Sequence, residues 1–446
     1  MGKPSRGGIG VDVRLGGHGQ SNRRQASSFR VLVVGDFSPG ASPGSGPVDV
    51  DVMGLDDWLE RWNPSILLRI SDEREIPISF SSLDDFHPDA LFDRLPIFAE
   101  LRLLQQEARQ GKGIVGQGEC GSRESTQDTL ARLLGKPNAG GASSSPLQDF
   151  FHRLVEPHVV TSETDGMNAQ LEVLHEASGE LMHTLLHHSA FQRLESIWRG
   201  LDFLLRFGEG FDVSVSNLSR EELEAWVLVD DPLATPLGRR LLGEAAGEPA
   251  WSLVLGAYSF GRNARDVMLL RRLSSILAEA GVPMIASYRA SEGGEAEVPS
   301  SWRELRSSRE ASMIGLALPR FLLRLPYGKR TDEISRFPWE EQTTPPQHDR
   351  YLWGHPGWLV ACLLGRRVID SGTKPSLSMS GLPVHSFLGE GQMEQTPCAE
   401  WWLTEQEAGR WLDDGMIPLC SVRGRDEVRL IRVQSLAAPS AGLAGF

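Results

Sequence analysis

The sequence predicts an α/β (α+β) protein with mixed sheets flanked by helices, arranged as two domains joined by a flexible linker. Three observations carry this. Phe29–Phe37, with Val31–Val34 apolar in succession, is a buried-strand signature that stops at the turn signal Ser38-Pro39-Gly40. Residues 251–287 read strand, helix, strand, the pattern of a βαβ unit. Phe191, Leu194, Trp198, Leu201 and Leu205 recur at offsets of three and four, which puts them on one helix face.

Taken in order, residues 1–28 are polar and Gly-rich and read as a flexible arm. Within it, Ile9, Val11, Val13 and Leu15 alternate with other residues as on an extended strand. Residues 29–109 form a first unit. Strands are predicted over 29–37, 66–70 and 76–80, followed by a helix entry at Asp84–Pro88 and one helix carrying Leu91, Leu95, Phe98, Leu101 and Leu104. Residues 110–164 read as a linker rich in Gly, Ser and Pro, with one short helix over Glu124–Lys136 whose apolar stripe is Leu130, Leu133 and Leu134. Residues 165–446 form the second unit. It opens with a long helical pattern over 168–207 and continues through a strand at Trp251–Tyr258, a helix at 263–280 ended by Gly281 and Pro283, and a strand at Met284–Ser287. Helices and short strands follow over 300–435.

Composition narrows the function classes. The chain has 446 residues, 40% of them hydrophobic, enough for a sizeable core. Its net charge of -14 opposes general nucleic-acid binding, which needs a basic surface. Four cysteines, Cys120, Cys362, Cys398 and Cys420, are too few for a disulfide framework and lack zinc spacing, which suggests a reducing compartment. The absence of an eighteen-residue apolar run and of an apolar leader core leads us to expect no membrane insertion, no signal peptide and a cytoplasmic location.

Motifs for chemistry are sparse. Gly111–Gly116 matches GxGxxG, but a helix precedes it where a dinucleotide site needs a strand, so it reads as linker. His183 and His187 stand at i,i+4, a metal-compatible spacing, without a third ligand; polar-face or part-buried histidines are the plainer reading. Asp84 and Asp85 read as helix-capping carboxylates rather than an acid/base pair. No catalytic triad or dyad can be assembled, and no catalytic residue, cofactor or metal is expected. One charged region stands out: Trp302–Arg336 holds eight Lys/Arg against four Asp/Glu, interleaved with apolar residues. A protein interface, internal salt bridges and a nucleic-acid patch are the three readings, the first favoured because Arg and aromatic residues are enriched at interfaces.

Several longer motifs resemble the contractile-sheath proteins of type VI secretion systems. Phe191-Gln192-Arg193-Leu194-Glu195 with Trp198-Arg199-Gly200-Leu201 is similar to a signature of the large (TssC/VipB-like) subunit. So are Trp302–Arg306, Gly315–Gly328, Tyr351-Leu352-Trp353-Gly354, Leu382-Pro383-Val384-His385 and Pro397-Cys398-Ala399-Glu400. Phe29–Phe37, Leu67–Ile70 and Ile78–Pro88 resemble the small (TssB/VipA-like) subunit. The resemblance implies a fused pair of sheath-like domains with no enzymatic activity, whose partners are other sheath subunits, an inner-tube protein, baseplate proteins and a AAA+ disassembly ATPase. It makes Ile9, Val11 and Val13 a strand for exchange with neighbours. Phe191, Glu195, Trp198, Arg199, Pro319, Arg320, Arg324, Pro326 and Tyr327 become candidate contacts, and Leu130, Leu133 and Leu134 a candidate ATPase-docking stripe, with a plain linker helix as the alternative. Against the family pattern, the chain ends soon after Arg423–Leu436, without the large subunit's further C-terminal region, and 365–381 is short and lacks a Gly-rich motif. Two roles follow: an assembling sheath component, or a sheath-derived adaptor or cap at the sheath end or baseplate.

Overall fold

A computed structural model of the chain describes residues 29–40, 48–49, 54–71, 74–110, 163–242, 250–290, 298–370, 376–389 and 391–446. The arm with Ile9, Val11 and Val13, the Gly111–Gly116 motif, Cys120, and the 124–136 segment with Leu130, Leu133 and Leu134 lie outside the described residues.

The first segment contributes β1 (Phe29–Gly35), β2 (Val48–Asp49), α1 (Leu55–Trp62), β3 (Ser65–Ser71), β4 (Arg74–Ser79), α2 (Pro88–Arg94) and α3 (Ala99–Arg109). After it come α4 (Glu163–Leu186), α5 (Ser189–Phe207), β5 (Phe211–Asn217), α6 (Arg220–Val227), α7 (Pro236–Leu242), β6 (Leu253–Phe260), α8 (Ala264–Ala280), β7 (Met284–Tyr288), α9 (Ser300–Ser307) and β8 (Ile314–Leu318). The remainder comprises β9 (Phe321–Leu322), β10 (Trp353–Gly354), α10 (Gly357–Ile369), β11 (Ser378–Ser380), β12 (Ser386–Gly389), β13 (Gln392–Gln395), α11 (Glu405–Asp413), β14 (Met416–Ser421) and β15 (Glu427–Leu430).

The main sheet runs β11-β15-β14-β8-β7-β6-β1-β5-β2. Its six central strands are parallel, and antiparallel strands finish both edges. β1 is an interior strand of this sheet, third from one edge, with Val31 opposite Val213 of β5 on one side and Leu253 of β6 on the other. The apolar run Val31–Val34 follows from that position, since both faces of an interior parallel strand are covered. Phe29, Val31 and Val33 enter one core with α5 and α10; Leu32 and Val34 enter the other with α6, α8 and α9. The mixed α/β architecture is as the sequence predicts. The 29–109 and 165–446 segments share this sheet and contribute to both of these cores.

Two expected helices are each divided. The helix after Asp84–Pro88 breaks at Leu95, which is extended (φ -76, ψ 131) because it precedes Pro96. The 168–207 pattern breaks between α4 and α5, where His188 is extended and caps α5. Asp85 acts as anticipated: its carboxylate accepts the N–H groups of Ser81 and Ser82, at 2.6 and 3.1 Å, and pairs with Arg94. Gly281 closes α8 in the left-handed region (φ +70), a position where glycine avoids a Cβ clash.

Three histidines start helices in one manner. The Nδ1 atoms of His87, His188 and His355 accept from the N–H of Asp89, Ala190 and Gly357, at 3.1, 3.2 and 3.1 Å. His355 Nε2 sits 3.0 Å from the carbonyl of Tyr258 and donates to it, which leaves Nδ1 the acceptor. Protonating Nδ1 would set N–H against N–H. Burial holds His355 at about 4 and lowers His188, which Arg193 lowers further. Below pH 6.5 the unfolded chain therefore binds more protons, and stability is lost as pH falls towards 4. For His355 alone the full span is worth about 3 kcal/mol. Calorimetry should show the melting temperature dropping between pH 7 and 5, and His188→Asn, which keeps a capping acceptor, should flatten part of that slope. A pH-independent melting temperature over that range would rule the account out.

Candidate functional site

The residues singled out by sequence converge on a charge cluster between α5 and the strand-and-loop segment after β8. Helical spacing puts Glu195 and Arg199 on one face of α5, and their side chains pair at 2.7 Å. Arg324, two residues past β9, reaches both carboxylates of the cluster. Its Nε lies 2.9 Å from Glu195 Oε1, and its Nη1 lies 2.7 Å from Glu341 Oε2. Its guanidinium also covers the Tyr327 ring, 4.1 Å from the centroid. Tyr327 joins twice: its hydroxyl accepts from Arg199 Nη2 at 3.1 Å, and its N–H donates to Glu341 at 2.8 Å. His187 Nε2 completes the ring of contacts, 3.3 Å from Glu341.

The Glu195 and Glu341 side chains are 0% and 1% exposed, so their charges survive only through these partners. Burial works to raise the Glu341 carboxyl, but the Arg324 guanidinium and the bonds from His187 and Arg324 hold it at about 2. The two carboxylates in turn raise Arg324 well above its ordinary value against the opposing effect of burial. Burial pushes the Tyr327 phenol up to about 12, so it stays a neutral donor and acceptor. Two carboxylates and two guanidiniums balance, and the main polar atoms have partners. The arrangement clamps chain segments together.

Phe191, Glu195, Trp198 and Tyr327 are turned inwards, at most 2% exposed, and Pro319 and Pro326 are buried with them. Arg199 and Arg324 are spent on internal pairs. Of the readings offered by the 302–336 island, internal salt bridges describe Arg324, because its carboxylate partners come from the same chain. Arg320 is more exposed and binds Glu400 with Nε to Oε2 at 2.9 Å, while Glu400 N–H donates to the Arg320 carbonyl at 2.7 Å. Burial opposes ionisation of Glu400, yet Arg320 and His348 bring its carboxyl down to about 2.

Sequence reasoning missed Glu341 and His187 as members. A buried glutamate looks like a solvated one in sequence, and the only available signal was an arginine-rich apolar segment with too few local acids to neutralise it. His183 and His187 stack with ring centroids 5.5 Å apart, and His183 also meets Trp339 at 4.7 Å. Among the described residues, no group of three or more His, Cys, Asp or Glu is placed to hold a metal ion. Cys362, Cys398 and Cys420 are free.

The cluster continues into a latch on the first segment. Asp89 of α2 accepts from Ser335 N–H, Ser335 Oγ and Arg336 N–H, at 3.0, 2.7 and 3.1 Å. Arg336 pairs with Asp93, and Phe92 meets Phe337 at 5.0 Å. Trp198 Nε1 donates to the Phe37 carbonyl at 3.0 Å, tying α5 to the end of β1.

A curated relative, the type VI secretion system sheath protein TssC1 of Pseudomonas aeruginosa, is 29% identical over 298 residues, covering 58% of this chain and 59% of the relative. The chain thus spans less than two thirds of that relative's length. Among the described residues, no helix is long and apolar enough to cross a membrane. The tail sheath N-terminal domain family described as VipB (EvpB/VC_A0108) matches residues 168–437, which contain the whole charge cluster and more than half of the sequence, and the chain belongs to that family.

Proposed function

We propose that this protein is a structural component of a type VI secretion contractile sheath, assembling in the cytoplasm with other sheath protomers around an inner tube. The match over 168–437 carries the reading. The central place of β1 supports the finer part of it. If 29–109 is a small-subunit-like unit fused to a large-subunit-like one, its strand is a permanent member of the large unit's sheet, and fusion makes that pairing intramolecular at high effective concentration. The internally neutralised cluster fits a load-bearing body better than a reaction centre, because its charged groups already satisfy one another and the reading needs no enzymatic step. Baseplate proteins and a AAA+ disassembly ATPase are the further partners of this reading.

Electron microscopy of the chain co-produced with the sheath, tube and baseplate proteins of its own system tests the proposal. Labelled chain distributed along tubes is the expected result. Label confined to tube ends would make it an adaptor or cap, and no association with any of these proteins would end the sheath reading.

A further inference from the structure

The β12–β13 hairpin pairs with itself alone among the described strands. Such a ribbon is marginal in water unless something holds it. Its root is held: the Tyr351 hydroxyl meets His385 Nδ1 at 2.7 Å, and Thr396 N–H donates to the His385 carbonyl at 3.0 Å. Farther out, Leu388 and Met393 stand directly opposite each other, 54% and 61% exposed. Charge along this stretch of sequence is one-sided, although Arg320 and His348 pair with Glu400. Residues 375–409 contain five glutamates and no lysine, arginine or aspartate, and Glu394 on β13 is exposed with no ion pair among the described residues.

A complementary feature sits elsewhere on the same chain. The Gly328–Thr331 turn, closed by Thr331 N–H to the Gly328 carbonyl at 3.0 Å, presents Lys329 and Arg330 side by side. Both are exposed, and neither has an ion-pair partner among the described residues. The adjacent Asp332 faces His87 instead, at 3.7 Å. In a chain of net charge -14, an acidic ribbon is repelled by most of a second copy's surface and attracted by such a turn.

We propose that the β12–β13 hairpin of one copy docks on the Lys329–Arg330 turn of a second copy. Glu394 meets the cations, while the aliphatic stems of Lys329 and Arg330 lie across Leu388 and Met393. The two patches differ, so the contact is heterologous and repeats from copy to copy, as a growing lattice requires. This rests on the sheath reading, since a lattice supplies the repeated copies.

The chain has five lysines, so few cross-links compete, and Lys329 is the one among the described residues. Full-length chains labelled with light and heavy nitrogen are mixed, treated with a carbodiimide and digested. The expected product is a Lys329–Glu394 cross-link in mixed-isotope pairs. Glu394→Lys should lower its yield at least about tenfold, and the double variant Lys329→Glu/Glu394→Lys should restore a cross-link between the same two positions. Absence of the cross-link, its confinement to single chains, or capture of Glu394 by another lysine overturns the contact. Failure of the sheath reading stays distinguishable: tubes that form equally well with Glu394→Lys sink the contact alone, whereas a mixed-isotope cross-link without tube association sinks the sheath reading alone.

Discussion

Replacing Arg324 by leucine should destabilise the fold by about 3–5 kcal/mol, measured as a shift in the denaturant midpoint at unchanged slope. The substitution removes the only group among the described residues that bonds both carboxylates of the cluster at once. Glu195 would keep Arg199 and Glu341 would keep His187, but each would lose its bond to Arg324 in a region closed to water. Lysine should recover little, because one ammonium cannot reproduce the fork that reaches Glu195 on one side and Glu341 on the other. The loss should be partly relieved in Arg324→Leu/Glu341→Gln, where the carboxylate that depends most on Arg324 is neutral; the interaction between the two changes is the quantity to measure. Acid should have the same target. The Glu341 carboxyl is held at about 2, so the stability it supplies is complete above the ordinary carboxylate range and disappears as pH falls towards 2. As a control, Arg330→Leu on the exposed turn should stay within about 0.5 kcal/mol of the parent. An Arg324→Leu loss below about 1 kcal/mol would mean that the cluster is solvated in solution.

That dependence also explains how much could be read from the sequence. β1 was legible because an interior parallel strand needs apolar residues on both faces, a requirement written into the four consecutive positions Val31–Val34. The β6–α8–β7 unit was legible because Gly281 and Pro283 mark its corner. Its place beside β1 was not, since the pairing joins residues more than 200 positions apart and no local pattern encodes it. The breaks at Leu95 and His188 were legible only in part. Pro96 is a visible breaker, but the apolar spacing runs through it undisturbed. At His188 the helix stops because an imidazole captures the Ala190 N–H, a choice made by geometry rather than by any strong breaker. The motif residues pointed to the right neighbourhood. Their apolar, aromatic and arginine mixture is common to interfaces and to buried ion clusters, and only the location of Glu195 and Glu341 decides between these.

A second large effect is expected at Gly200, and it tests whether the two helices on the α5 side of the sheet form one rigid block. A Cβ added at Gly200 would lie 2.1 Å from Trp358 Nε1 and 2.5 Å from Cε2, far inside contact distance. Trp358 is fully buried on α10, so the indole has no solvent to swing into. Alanine is the better helix former by about 1 kcal/mol, which would favour the substitution in an open helix. Here overpacking wins: Gly200→Ala should cost about 2–4 kcal/mol net, as α5 and α10 are forced apart over the centre of the sheet. Trimming the indole in Gly200→Ala/Trp358→Phe should recover part of that loss, although Trp358→Phe alone costs stability through the cavity it leaves. Were Gly200→Ala neutral or stabilising, α5 and α10 would have to sit farther apart than this packing places them. Glu195 and Arg199, which bond Arg324 and Tyr327, stand on the same helix α5. A variant that separates the helices should therefore weaken the pairing that holds the Glu341 carboxyl low and flatten the acid dependence of the cluster, and a melting-temperature series from pH 7 to 3 on Gly200→Ala would show that coupling as a smaller drop than in the parent.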